Sequence, residues 1–248
     1  MSWLDYLTSA FWFSPPPKNE TTKHVATSIK TTKELDQPIL PFNPKNDIKS
    51  NIFMVVLEGS SEKENERKTA FLKRVYRTIG SPIIQFVSFR SEAWNECCAE
   101  QWSQHPTKQF LSLVRFENRR KAIVLDDLTN DKKERNAIRD AYMKRKGPRH
   151  APMLLGMKMA NGIHEDLVRD VQWVAICHEP SEEARRMAWK KFISTLDLLD
   201  TPTEEEFHKL CSRVWRSSPE NMLLVNRQTC DVRTMFYIWT ETEEYETQ

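Results

Sequence analysis

Five short apolar runs recur along this chain between stretches with helical periodicity: 51–58 (NIFMVVLE), 83–89 (IIQFVSF), 121–128 (KAIVLDDL), 152–159 and 171–177. An apolar run of that length reads as a strand covered on both faces. Strands of this kind separated by helices imply a mostly parallel sheet, because each crossover carries a helix onto one face. The expected fold class is therefore α/β. Two further runs, Met222–Val225 and Met235–Trp239, flank a turn at Gln228–Asp231 and predict a C-terminal β-hairpin.

The intervening stretches predict helices. After a polar loop at 60–68, the spacing of Ala70, Phe71, Val75 and Ile79 marks a helix that ends at Gly80. Residues 91–118 read as mostly helical, and 131–146 as a charged helix closed by Gly147 and Pro148. Helices follow at 181–199 and 203–216, the second with Thr201 as its expected N-cap and Pro202 at its first position. Trp173, Trp189, Trp215 and Trp239 fall in regular elements and are expected in the core.

The ends differ in composition from this block. Residues 1–17 hold Trp3, Leu4, Tyr6, Leu7, Phe11, Trp12 and Phe13 in a short amphipathic stretch closed by Pro15, Pro16 and Pro17. Residues 18–49 have the Lys, Thr, Asn and Pro content of a flexible arm or linker. The domain proper is expected at 50–240, followed by an acidic tail at 241–248. Two readings of residues 3–13 stand side by side: an anchor on a partner protein or a membrane surface, and a segment packed back on its own domain.

Charge and cysteine usage narrow the function classes. The 37 basic and 35 acidic side chains leave a net charge of +2, so any nucleic-acid contact has to come from a local patch. The basic cluster after strand 121–128 is such a patch: Lys132, Lys133, Arg135, Arg139, Lys144, Arg145 and Lys146. Asp131, Glu134 and Asp140 interrupt it, so a solvated helix face is the default reading. The five cysteines include no C-x-x-C pair, which argues for a reduced compartment and against a disulfide framework. Cys97, Cys98 and His105 make at most half a metal site. With no apolar run long enough to span a bilayer and no signal-peptide pattern, a soluble intracellular protein is expected.

Two motifs carry chemistry. Four apolar positions lead into Asp126 and Asp127 at the end of strand 121–128. Acids at the C-terminal end of a parallel strand lie in the ligand crevice. There the first can hold a magnesium shell and the second can orient a water, as in a Walker B strand. The run 51–58 ends at Gly59, and after SSEKENER come Lys68 and Thr69 ahead of a helix. That is the order of a P-loop, whose Lys reaches the outer phosphates and whose Thr binds the metal. The loop departs from the pattern: it is lengthened, Arg67 stands where a second glycine belongs, and Glu62, Glu64 and Glu66 would repel phosphate.

With these motifs in order, the chain resembles the viral genome-packaging ATPases of the poxvirus and giant-virus type, within the FtsK–HerA superfamily. The resemblance spans about residues 51 to 239. It rests on Lys68-Thr69, KAIVLDDL at 121–128, the Gly147-Pro148-Arg149-His150 turn, LVRDVQWVAI at 167–176 and the closing hairpin. The glutamine such proteins carry after the strand following the Arg-His turn is replaced here by Met157-Lys158-Met159. The resemblance implies a P-loop NTPase-like fold and a motor that hydrolyses ATP with magnesium to drive double-stranded DNA into a capsid. It also implies a homo-oligomeric ring, a location in host cytoplasm or virion, and an attachment to a capsid or virion-assembly protein through residues 3–13. In that scheme Gly59, Lys68 and Thr69 bind the nucleotide, and Thr69 and Asp126 hold magnesium. Asp127 orients water, and Arg149 acts across a subunit interface.

The altered loop keeps a second reading open, a nucleotide-inactive P-loop-fold protein that serves as a DNA-binding or virion-assembly subunit. A third is an unrelated α/β transferase that uses Asp126 and Asp127 for a metal. The P-loop readings are expected to place strand 121–127 beside strand 51–58.

Overall fold

The computed structural model describes residues 39–48, 52–59, 61–79, 83–88, 94, 100–102, 121–128, 131–144, 152–179, 181–196, 198 and 200–240. By compactness the chain divides into Met1–Glu34 and Leu35–Gln248, and all of the first unit lies outside the described residues. So do the aromatic segment 3–13, the Gly147–His150 turn with Arg149, the Cys97, Cys98 and His105 half-site, and the tail 241–248.

The described residues form one nine-stranded sheet. Its strands in chain order are β1 (Leu40–Pro41), β2 (Phe53–Leu57), β3 (Ile83–Ser88), β4 (Glu100–Trp102), β5 (Lys121–Leu128), β6 (Met153–Met157), β7 (Trp173–Ile176), β8 (Met222–Asn226) and β9 (Phe236–Trp239). Across the sheet they run β1-β9-β8-β7-β2-β6-β5-β3-β4. All pairs from β7 to β4 are parallel, and the predicted hairpin β8–β9 adds an antiparallel flank.

The continuous apolar runs are explained by their place in the middle of the sheet. Every residue of β2, β6 and β7 is buried. Alternate side chains of a strand face opposite ways, and the core divides accordingly. Phe53, Val55 and Leu57 of β2 join one cluster with Leu125, Leu155, Phe192 and Phe207. Met54 and Val56 join the other with Phe71, Leu72, Val75, Trp94 and Leu154. The first face is covered by α3 (Lys132–Lys144), α4 (Glu165–Val168), α5 (Glu182–Ala188) with the π-helical turn Trp189–Ile193, and α6 (Glu204–Ser217). The second is covered by α2 (Glu62–Ile79). A short helix α1 (Pro44–Asp47) precedes β2.

Several local expectations are corrected. Helix α2 starts at Glu62, where a loop to residue 68 was expected. Residues 62–68 contain no glycine, and their Glu, Lys and Arg are good helix formers. Glu62 and Glu64 complement the positive end of the helix, and the Ser61 hydroxyl accepts from the Glu64 amide at 3.2 Å. Strand β4 forms inside the stretch predicted as helix, because its backbone completes the open edge of β3. Helix α6 is capped by Thr203, not Thr201. Glu206 closes a capping box with Thr203 by accepting from its amide at 2.7 Å, whereas the Thr201 hydroxyl donates back to Leu198 O at 3.0 Å.

Residues 39–48, assigned from composition to the arm, pack on the sheet. β1 pairs with β9, and Phe42 is buried with its ring 5.1 Å from Trp173 and 6.0 Å from Phe71. Of the four tryptophans expected in the core, Trp173, Trp215 and Trp239 are buried, while Trp189 is half-buried and donates to Pro202 O at 2.9 Å. Finally, β5 does not lie beside β2; β6 stands between them.

Candidate functional site

The carboxyl ends of β2, β6 and β5 come together beside the first turns of α2, and the motif residues meet there. Lys68 and Thr69 sit six and seven residues in from Glu62, so Lys68 lies about 9 Å along the helix axis from its start. This places both in the second turn of α2 and over the sheet. Lys68 Nζ is 2.8 Å from Asp126 Oδ1 and 3.3 Å from Glu58 Oε2. The Thr69 hydroxyl donates to Asp126 Oδ2 at 2.7 Å across 57 residues of sequence, and Trp94 Nε1 donates to the same oxygen at 3.2 Å. The Lys68 and Asp126 side chains are both 0 % exposed. Charges so buried persist only when paired and hydrogen-bonded, and here one ammonium lies between two carboxylates.

Two residues without obvious chemistry make this geometry possible. Gly156 lies in β6, the strand between Lys68 and Asp126. A Cβ at Gly156 would fall under 3.0 Å from Asp126 Oδ1, 3.0 Å from Leu72 Cδ1 and 3.3 Å from Lys68 Cδ. A missing side chain is therefore what lets a lysine on α2 reach across β6 to an aspartate on β5. The β5–β6 register shifts between Leu125 and Leu128, around Asp126 and Asp127. Such irregularities re-aim side chains and recur beside active sites. Asp127 belongs to β5, and its side chain lies outside the described residues.

Gly59 also provides room. A Cβ there would run into His178 O and the Glu64 side chain, both under 3.0 Å away. The segment after β2 thus passes close against the residue that follows Cys177. Burial and then the Glu64 charge push the Cys177 thiol up from its ordinary 9.0 to about 12.

The acidic loop of the sequence reading has a different structure. Glu62 and Glu66 are exposed on α2, while Glu64 is buried against Arg67, whose Nη1 donates to its Oε1 at 2.6 Å. Arg67 also donates to Pro219 O at 3.3 Å and lies 3.3 Å from Glu220 Oε1. The residue in place of a second glycine is therefore a tie between α2 and the turn before β8. Glu64 Oε2 and Asn65 Oδ1 are buried without a hydrogen-bond partner among the described residues.

The donor set can be compared with a magnesium–nucleotide complex. Magnesium takes hard oxygen ligands, usually one or two carboxylates with phosphates and water completing the shell. The Thr69 hydroxyl and the Asp126 carboxylate, in direct contact, fit that role. No group of three or more His, Cys, Asp or Glu side chains among the described residues makes a metal site alone. Lys68 fits a phosphate by charge, but its ammonium is held by two carboxylates, Asp126 and Glu58.

Of the other predicted residues, Lys132 and Lys133 are exposed on α3. Arg135 donates to Asn161 O at 2.9 Å, and Arg139 pairs with Asp140 at 2.8 Å, so half of the described basic patch is engaged by its own surroundings. Glu58, Trp94 and Gly156 belong to the site without having been expected there. The acid immediately before Gly59 was a visible signal for Glu58; nothing local marked the other two.

No protein-family model matches the chain, and no curated protein does. Among solved structures, it is similar to the genome packaging NTPase B204 from Sulfolobus turreted icosahedral virus 2. In complex with AMPPCP, that structure is 9 % identical, with a TM-score of 0.53 over 77 % of this chain and 97 % of the other. In complex with ATP-gammaS, the figures are 12 %, 0.51, 79 % and 98 %. In complex with sulfate, they are 10 %, 0.53, 78 % and 98 %. At such identities the likeness is one of fold. The fold is the α/β one expected, a mostly parallel sheet flanked by helices and shared with a viral packaging NTPase. No helix among the described residues is long and apolar enough to cross a membrane.

Proposed function

We propose that this chain is a viral genome-packaging ATPase-like protein that couples ATP hydrolysis to movement of double-stranded DNA into a capsid. The observation that carries the reading is the convergence of Lys68, Thr69 and Asp126 on one buried point, from a helix and a strand far apart in sequence. Lys68 would face the outer phosphates, and Thr69 with Asp126 would hold magnesium. Asp127 would orient the attacking water, and Arg149 from a neighbouring copy in a ring would stabilise the developing charge. Bound magnesium and ATP would supply the transferable phosphoryl group and the cation that neutralises it. Lys132 and Lys133 offer a salt-sensitive contact to the DNA backbone. Attachment to a capsid or assembly protein is assigned to residues 3–13.

Phosphate release tests this reading, measured with and without double-stranded DNA on wild type, Lys68→Ala and Asp127→Asn. Hydrolysis that DNA stimulates and both substitutions remove is the expected result. Equal phosphate release from all three proteins would overturn it.

A specific observation favours a second reading. Because α2 begins at Glu62, helix and buried side chains stand where a phosphate cradle belongs. A chain locked in that state would be a nucleotide-inactive member of the fold that binds DNA or assembles virions.

A further inference from the structure

We infer that Glu58 is a positioning residue that sets nucleotide affinity by competing for Lys68. The inference rests on the nucleotide reading of the site. The Glu58 backbone is fixed, because its amide extends the β2–β6 ladder by donating to Met157 O at 2.8 Å. Its side chain is 11 % exposed, and its Oε2 lies 3.3 Å from the fully buried Lys68 ammonium. Asp126 already meets the charge of Lys68 at 2.8 Å. Glu58 is therefore a second carboxylate on the same ammonium. A phosphate that engages Lys68 has to share it with this carboxylate or displace it, and like charges at such range in a poorly hydrated site repel strongly.

Glu58 also has somewhere to go. It lines a small cavity at the carboxyl ends of β2, β6 and β7 together with Lys158, Met159, Glu179 and Arg185. Arg185 Nε in that lining is buried with no partner among the described residues. Arg185 Nη1 donates to Glu179 O at 3.1 Å, and on this inference the Glu58 carboxylate turns from Lys68 toward the Lys158–Arg185 side when Lys68 turns to a phosphate.

The test is calorimetric titration of ATP with magnesium into wild type, Glu58→Gln, and Glu58→Gln combined with Lys68→Ala. Glu58→Gln keeps the shape and removes the charge. The expected result is binding tightened by about tenfold or more in Glu58→Gln, with the gain lost in the double variant because Glu58 acts through Lys68. A purely structural role for Glu58 would weaken binding, the opposite sign. Glu58→Asp, which keeps the charge and shortens its reach, is expected to give a smaller gain and serves if Glu58→Gln does not fold. Wild type that binds while the Glu58 variants bind no tighter overturns this inference and leaves the nucleotide reading standing. Binding by Glu58→Gln alone, with silent wild type, supports the inference, since the clamp then hides the site. Silence from every protein overturns both.

Discussion

Replacing Gly156 with alanine probes the site where its geometry is tightest. Elsewhere in a strand, glycine to alanine stabilises by about 0.5–1 kcal/mol, because glycine loses more backbone freedom on folding. Here the added methyl falls under 3.0 Å from Asp126 Oδ1 and 3.0 Å from Leu72 Cδ1. The carboxylate it strikes is fully buried and held by Lys68 at 2.8 Å, Thr69 at 2.7 Å and Trp94 at 3.2 Å, so it has no free direction of retreat. Overpacking of this kind costs about 1–3 kcal/mol. Breaking a buried ion pair costs about 3–5 kcal/mol. The carboxylate is expected to shift without leaving the lysine, so the upper end of the overpacking cost less the backbone gain leaves a net loss of about 2 kcal/mol. At roughly 2–4 °C per kcal/mol for a chain of this size, the midpoint should fall by about 4–8 °C. Thermal unfolding followed by circular dichroism reads this directly. A midpoint unchanged or raised would refute the argument that an absent side chain opens the path between Lys68 and Asp126.

Two further substitutions and a labelling experiment test the surrounding fold. Thr203→Ala removes the N-cap half of the α6 capping box and should cost about 1 kcal/mol in chemical denaturation; no measurable loss would contradict the assigned cap. In native protein at pH 8, iodoacetamide should label the exposed Cys230 and spare the buried Cys177 and Cys211 until the chain is unfolded. The Cys177 thiol is raised in the fold, so its contribution is fully present below the ordinary 9.0 and is lost as pH climbs toward about 12. Wild type should therefore lose more stability than Cys177→Ala across that alkaline window, and parallel curves would contradict the sign.

The parts of this molecule legible in its sequence are those governed by local pattern. The runs at 51–58, 121–128, 152–159 and 171–177 announce a parallel sheet because strands covered on both faces leave no polar alternation. Asp126 stands out because an apolar run ends on it. What stayed hidden depends on partners distant in sequence. Gly156 reads as an ordinary strand residue until Lys68 and Asp126 are seen on either side of it. Trp94 lies in a segment whose pattern says nothing of the carboxylate its indole meets. The start of α2 was misread because motif order suggested a loop, while residues 62–68 had helical propensity and a serine before them. Phe42 was assigned to an arm on composition, which cannot report the pocket formed by Phe71, Trp173 and Tyr237.

The central claim is that Lys68, Thr69 and Asp126 form a working nucleotide site. It is tested most directly by calorimetric titration of ATP with magnesium into wild type and Lys68→Ala, both shown folded by circular dichroism. Micromolar binding by wild type that Lys68→Ala abolishes is the predicted result. Equal binding by both proteins would contradict the claim, and so would silence from wild type and Glu58→Gln alike; that silence would favour an assembly or DNA-binding role for the fold.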